Sequence, residues 1–233
     1  MAALPLTQEM DLANDRLVIF DCDGVLVDSE PLAAIAYERA YARNGLTIKP
    51  EVVAHGVGMK QADIIVKIHE LTGQLLPDTA AGDIWLETKD LFTEQLKPTP
   101  GLPEFLAALK TARCVASSSS VERINHSLAV TGLARYFGDA IFSSSMVARG
   151  KPAPDIFLHA ARQMGAEPSH CVVIEDSRYG VQGAVAAGMT AIGYTGGGHT
   201  FAAHRAELEA AGANVVCRSW DEIEAVLRER GFI

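Results

Sequence analysis

The chain has 233 residues, 48% of them hydrophobic, and 20 Lys and Arg against 29 Asp and Glu leave a formal net charge of -9. That length suits one large domain or a domain with a sizeable insert, and the composition allows a packed core. The acidic balance argues against general nucleic-acid binding, which needs a basic surface, and no apolar run approaches the ~20 residues of a membrane span.

The first dozen residues read as a loose leader. Glu9 and Asp11 stand where a signal segment would carry a basic flank and an apolar core. Cys22, Cys114, Cys171 and Cys217 lie far apart with no Cys-x-x-Cys spacing, which fits reduced thiols in a soluble cytoplasmic protein. The first predicted element is a strand over residues 17–20, four apolar residues that run into Asp21-Cys22-Asp23-Gly24. Such a run suits a buried strand of a parallel sheet, and ligands bind open α/β sheets at the carboxyl ends of their strands. Two carboxylates there, one residue apart, are costly to hold together without a cation or a proton. Alternation points Cys22 to the other side, so it is not expected to act as a nucleophile. Gly24 permits a tight backbone exit.

Helical patterns follow over residues 31–44, 61–72 and 80–96, with Gly45 a plausible stop and no strand between them. Lys97-Pro98-Thr99-Pro100-Gly101 reads as a stiff linker ending in a turn residue. Beyond it, predicted strands at 114–116, 140–142, 171–174, 190–193 and 215–217 alternate with helices at 103–110, 121–131, 154–164, 180–187, 201–211 and 221–230. That alternation predicts an α/β fold, a doubly wound parallel sheet covered on both faces. Residues 1–30 and 99–233 form the expected core domain, and residues 31–98 an inserted helical cap domain, placed where a lid would sit.

Four places converge if the strands order in this way. Asp21 and Asp23 can ligate a metal, attack phosphorus or carry a proton. Ser117-Ser118-Ser119-Ser120 ends a strand and opens a helix, where hydroxyls and free N–H groups hold a phosphate well. Taken alone, four serines are also an ordinary loop or helix cap. Lys151 lies in Lys151-Pro152-Ala153-Pro154, where two prolines stiffen the backbone around a point cation suited to phosphate. Glu175-Asp176-Ser177 ends another apolar run. By itself it is equally a helix cap; beside Asp21 it reads as a hard-cation site of the kind Mg²⁺ takes with carboxylates and substrate phosphate.

Asp-x-Asp-Gly, a strand-end Ser, Lys-Pro-x-Pro and Glu-Asp-Ser, in that order, resemble the four motifs of the haloacid dehalogenase superfamily, over about residues 16–217. The helical insert after the first motif is similar to the cap of its β-phosphoglucomutase-like phosphatases. The resemblance implies a Rossmann-like core and an Mg²⁺-dependent phosphatase. It makes Asp21 the nucleophile that forms an aspartyl-phosphate and Asp23 the general acid and then base. Ser117 and Lys151 would hold phosphoryl oxygens, with Ser118 and Ser119 beside the substrate. Asp21, the Asp23 carbonyl, Asp176 and, through water, Glu175 would hold Mg²⁺. A phosphate dianion repels a carboxylate nucleophile, and Mg²⁺ with Lys151 would remove that repulsion.

Asp23 also separates the chain from the superfamily's dehalogenases and phosphonate-cleaving members, which lack that second acid. β-Phosphoglucomutases carry a histidine where Ala33 stands and a cap lysine where His55 falls. They also carry a Lys-Asn pair where Ser120-Val121 stand. These departures favour water over a second sugar as phosphoryl acceptor, with a mutase as the alternative. The overall pattern is similar to bacterial phosphatases of sugar phosphates and phosphogluconate. The expected partner is therefore a small phosphorylated metabolite, with no nucleic acid and no membrane, for a monomer or small homo-oligomer. His55 and Lys60 could contact substrate from the cap, or be a loop histidine and a solvated lysine. His69, His126, His159 and His170 read as structural, Trp85 and Trp220 as packing residues, and Gly196-Gly197-Gly198-His199 as a loop past a strand, near the site at best.

Overall fold

The computed structural model describes residues 16–233; the leader expected over the first dozen residues lies outside them. Six strands form one sheet: β1 (Leu17–Phe20), β2 (Ala112–Ser117), β3 (Ile141–Ser143), β4 (Cys171–Glu175), β5 (Thr190–Tyr194) and β6 (Val215–Cys217). Their order is β3-β2-β1-β4-β5-β6, and every neighbouring pair is parallel. This is the doubly wound order, with β1 at the centre where the direction of winding reverses. Phe20 pairs with both Val115 and Ile174. Asp21, just past the end of β1, therefore lies level with Ala116 and Glu175 near the ends of β2 and β4.

Alternation assigns the two faces. Val18, Phe20, Val172 and Ile174 pack with α5 (Leu102–Ala108), α6 (Val121–Val130) and α10 (Trp220–Glu229) through Phe105, Ile124 and Ile223. Leu17, Ile19 and Val173 pack with α7 (Asp155–Met164), α8 (Arg178–Ala186) and α9 (His204–Ala210) through Phe157, Val181 and Leu208. β1 and β4 are buried along their whole length, so Ile19→Ala would cost about 2–5 kcal/mol. This two-faced burial makes a rigid floor for whatever extends past the strand ends.

The stretch between β1 and β2 also carries α1 (Glu30–Arg43), α2 (Pro50–Val53), α3 (Gln61–Thr72) and α4 (Ala81–Gln95). These four gather their own buried cluster, including Tyr37, Tyr41, Ile68 and Ile84. The chain leaves and re-enters side by side. Asp28 N donates to Lys97 O (3.0 Å) and Thr99 N to Leu26 O (3.1 Å). Thr99 is locked further, its hydroxyl donating to Val25 O (2.7 Å) and accepting from the Trp220 indole (3.0 Å). The residues expected to form a linker are thus a paired crossing. α2 escapes sequence periodicity because four residues are barely one turn; the proline at its start is its one local signal. The helix expected from 201 begins at His204, and the strand expected at 140–142 is Ile141–Ser143.

Candidate active site

The carboxyl ends of β1 and β4 bring four ionisable groups together. Lys151 Nζ, with no exposed side-chain surface, lies 2.8 Å from Asp21 Oδ1. It also pairs with Glu175 Oε1 and donates to Ala116 O at 3.1 Å. Glu175 Oε2 accepts from the Ser177 backbone N–H (3.1 Å) and hydroxyl (3.0 Å). α8 starts directly over this carboxylate, and a Cβ at Gly180 would stand 1.8 Å from Glu175 Oε1. Burial pushes the Asp21 carboxyl well above the usual range, Lys151 opposes that shift, and Glu175 and Asp176 add to it.

Asp176 completes the cluster. It is buried; its Oδ1 has no hydrogen-bond donor among the described residues, and its Oδ2 lies 3.0 Å from His199 Nε2. One ligand atom from each of Asp21, Glu175 and Asp176 lies within 4.8 Å of the others. Three buried acids face one lysine. An oxygen left without a donor in such a place fits a hard divalent cation, because a buried carboxylate oxygen is otherwise paired or hydrogen-bonded.

Asp23 faces the other way. Its Oδ2 accepts from the Ser119 hydroxyl (2.6 Å) and its Oδ1 from Arg123 Nη2 (2.7 Å). Burial would raise its pKa, but the Arg123 guanidinium and these hydrogen bonds outweigh burial and hold it below the usual range. Ser120 caps α6 by accepting from Arg123 N (3.2 Å), which sets Arg123 in the first turn, over the strand end. The Arg123 guanidinium also lies over the Phe92 ring (5.0 Å to its centroid).

A cavity of about 280 Å³ opens above these groups. Asp21, Asp23, Ser117 and Arg123 line its floor, and Tyr37 and Trp85 face it from the helices. Ser118 joins the two halves by donating to Gly58 O (2.8 Å). Ser117 is buried, its hydroxyl accepting from Ser119 N (3.2 Å). Glu30, the first residue of α1, also lines the cavity. Burial, with the nearby Asp23 charge, raises its pKa to about 7.

Asp21, Asp23, Ser117, Lys151, Glu175 and Asp176 therefore meet at one sheet edge, with Ser118 and Ser119 beside them. His55 and Lys60 lie apart from that meeting point. His55 is exposed and lines a second cleft, of about 380 Å³, on the Asp176 side. Lys60 Nζ donates to Ser144 O (3.3 Å). Cys22 packs into the core with its thiol pushed up by burial and by Asp23, which is no setting for a nucleophile. Trp220 is a core residue, whereas Trp85 borders the cavity.

Arg123 and Glu30 were not anticipated from the sequence, and His199, expected in a loop near the site at best, was given no partner there. The spacing Ser120-x-x-Arg123 was the available signal for the first, since a capped helix start turns its third residue back toward the cap. His199 extends from the loop after β5 to place Nε2 3.0 Å from Asp176 Oδ2. Burial opposes a charge on that ring, yet Asp176, with Glu30 and Asp28 nearby, lifts its pKa to about 9.

A doubly wound parallel sheet with buried acids at its carboxyl edge defines an enzyme with a Rossmann-like α/β core. Residues 16–188 match the family model for haloacid dehalogenase-like hydrolases, and the chain belongs to that family. It is 33% identical over 180 residues to a 6-phosphogluconate phosphatase of Escherichia coli K12, covering 76% of this chain and 81% of the relative. It is 33% identical over 178 residues to a fructose-1-phosphate phosphatase of the same organism, covering 75% and 94%. A haloacid dehalogenase family hydrolase from Deinococcus radiodurans R1, solved with bound phosphate and sodium, superposes with a TM-score of 0.75 at 32% identity, covering 96% and 99%. Among the described residues, no helix is long and apolar enough to cross a membrane.

Proposed function

We propose that the chain is an Mg²⁺-dependent phosphatase of small phosphorylated metabolites, sugar or sugar-acid phosphates, working through an aspartyl-phosphate on Asp21. The observation that carries this reading is the pairing of Asp21 with Lys151 beside the donor-free Oδ1 of Asp176. The activities named for the two Escherichia coli relatives support the substrate class.

Asp21, Glu175 and Asp176 would hold the cation, which when bound offsets the charge of the phosphate and of its transfer. An Asp21 oxygen attacks phosphorus while the bond to the ester oxygen breaks. That oxygen leaves with the bonding pair and takes a proton from Asp23. Arg123 and Ser119 favour the ionised Asp23, and the incoming phosphate dianion raises its pKa by like-charge repulsion, which supplies the protonated form for this half. In the second half Asp23 takes a proton from water, the water oxygen attacks phosphorus, and Asp21 departs as the free carboxylate. Lys151 and the residues at the start of α6 steady the phosphoryl oxygens.

Residues 31–98 act in this reading as the cap, since Tyr37, Gly58 and Trp85 close the cavity. Ala33 lines the same cavity and has no group that could shuttle a proton to a second sugar, which favours water as the acceptor. A phosphate-release screen over sugar, nucleotide and acid phosphates, with and without Mg²⁺, tests the proposal. Release that requires Mg²⁺ and vanishes in Asp21→Asn is expected. Normal turnover by that variant would overturn the nucleophile, and a trapped sugar bisphosphate with scarce free phosphate would point to a mutase.

A further inference from the structure

Asp176 is gripped twice by one short segment. His204, at the start of α9, places Nε2 2.6 Å from the Asp176 carbonyl oxygen, and His199 places Nε2 3.0 Å from its Oδ2. The segment is built to deliver the second contact. Gly198 N donates to Asp28 Oδ1 (2.8 Å), Thr195 N to Cys217 O (2.8 Å) and the Thr200 hydroxyl to Thr195 O (2.9 Å). Glycines make the berth for the ring. A Cβ on Gly24 or on Gly197 would each stand 2.9 Å from His199 Cε1. The imidazole is largely buried, and apart from the Asp176 contact neither ring nitrogen has a polar partner among the described residues. A histidine carried this deep, with both nitrogens otherwise unused, has Asp176 as its target.

We propose that His199 is a positioning residue for the cation site, holding Oδ2 of Asp176 so that the other carboxylate oxygen is presented toward Asp21 and Glu175. This rests on the cation-dependent reading above. Facing an anionic acceptor, Nε2 carries the hydrogen. A carboxylate fixed at one oxygen loses its freedom to rotate away from the cation, and removal of such outer partners typically weakens metal binding about 10–100-fold. The second cleft borders both His199 and Asp176.

Mn²⁺ binding to the metal-free protein, read as loss of the free-ion electron paramagnetic resonance signal, tests this without recourse to turnover. His199→Ala is expected to raise the Mn²⁺ Kd about 10–100-fold. His199→Gln, whose amide N–H takes the place of Nε2, is expected to recover most of that loss. An unchanged or tighter Kd in His199→Ala overturns the proposal, and so does an equal loss in both variants, which a collapsed loop would produce. Asp176→Asn separates the two levels of argument. If it binds Mn²⁺ like the parent, the cation site itself is wrong; if it loses Mn²⁺ while His199→Ala does not, only the role of His199 falls.

Discussion

The ammonium of Lys151 lies 2.8 Å from Asp21 Oδ1 with no surface left to solvent, and it is shared with Glu175. One cation therefore holds two carboxylates that arrive on different strands. Burial alone would lower the lysine's pKa, but Asp21 and Glu175 together push it above the usual range. The two carboxylates thereby favour the charged ammonium over the neutral amine.

Removing that ammonium leaves Asp21, Glu175 and Asp176 buried without compensation. Lys151→Ala should cost about 3–5 kcal/mol of stability, as breaking a buried ion pair does. A divalent cation replaces part of the missing charge, so Mg²⁺ should raise the variant's Tm by more than it raises the parent's. Thermal unfolding in EDTA and in Mg²⁺ reads both effects, and a variant as stable as the parent in EDTA would contradict them.

Arg123 acts on Asp23 alone among the motif acids, through the 2.7 Å contact to Oδ1. Arg123→Met removes the guanidinium at Asp23 and leaves the Ser119 hydroxyl bonded to Oδ2. The expected result is a fall in kcat of about 10²-fold, the lower end of what a positioned proton carrier contributes, with a smaller change in KM. Steady-state kinetics on the best substrate of the screen decides it. An unchanged kcat would separate Arg123 from the proton transfer.

Gly24 has a φ of 72°, and a Cβ there would stand 1.8 Å from Asp176 Oδ2. Gly24→Ala thus combines backbone strain with a collision at the cation site. At a hundredfold excess over Kd, a bound cation stabilises by about 2.7 kcal/mol, which for a chain of this size is a Tm rise of about 5–10 °C. The parent should show that rise with Mg²⁺ and the variant little of it. A full rise in the variant would place the cation elsewhere.

Glu30 supplies a pH test. Its pKa rises from 4.5 to about 7 on folding, so between those values the folded chain keeps a proton that the unfolded chain has released. Stability conferred by this group therefore falls as pH climbs from about 4.5 to 7. Glu30→Gln removes the titration. In EDTA the variant should gain about 2–3 kcal/mol over the parent between pH 5 and pH 8, or about 5–10 °C in Tm. Parallel Tm profiles for the two proteins would refute the shift.

The strands and their acids were legible because each motif is local. An apolar run of four residues followed by an acid states both the strand and the end at which chemistry occurs, as at Phe20-Asp21 and Ile174-Glu175. Arg123, Glu30 and His199 were not legible in that way. Each sits on a helix or loop whose local pattern is ordinary, and its relation to the acids exists only once β1, β4 and β5 lie side by side. His55 and Lys60 show the reverse difficulty. Their residue types suit phosphate, but the turn between α2 and α3 directs His55 to the second cleft and Lys60 to the Ser144 carbonyl. Loop direction depends on which backbone groups find partners across the chain, and residue type does not specify that.

The crossing where residues 26–28 pair with 97–99 has a consequence for how such chains diversify. Departure and return are a backbone hydrogen bond apart, and Thr99 anchors the return to Val25 and Trp220 without using any residue of α1–α4. Any segment whose ends meet could be spliced between those points, since closing a longer loop costs only about 0.6 kcal/mol per doubling. The strands and the acids at their ends lie outside such a segment, while Arg123 and Ser118, which touch Phe92 and Gly58, would have to find new partners in it. An exchanged segment would thus re-line the cavity above an inherited set of strand-end acids.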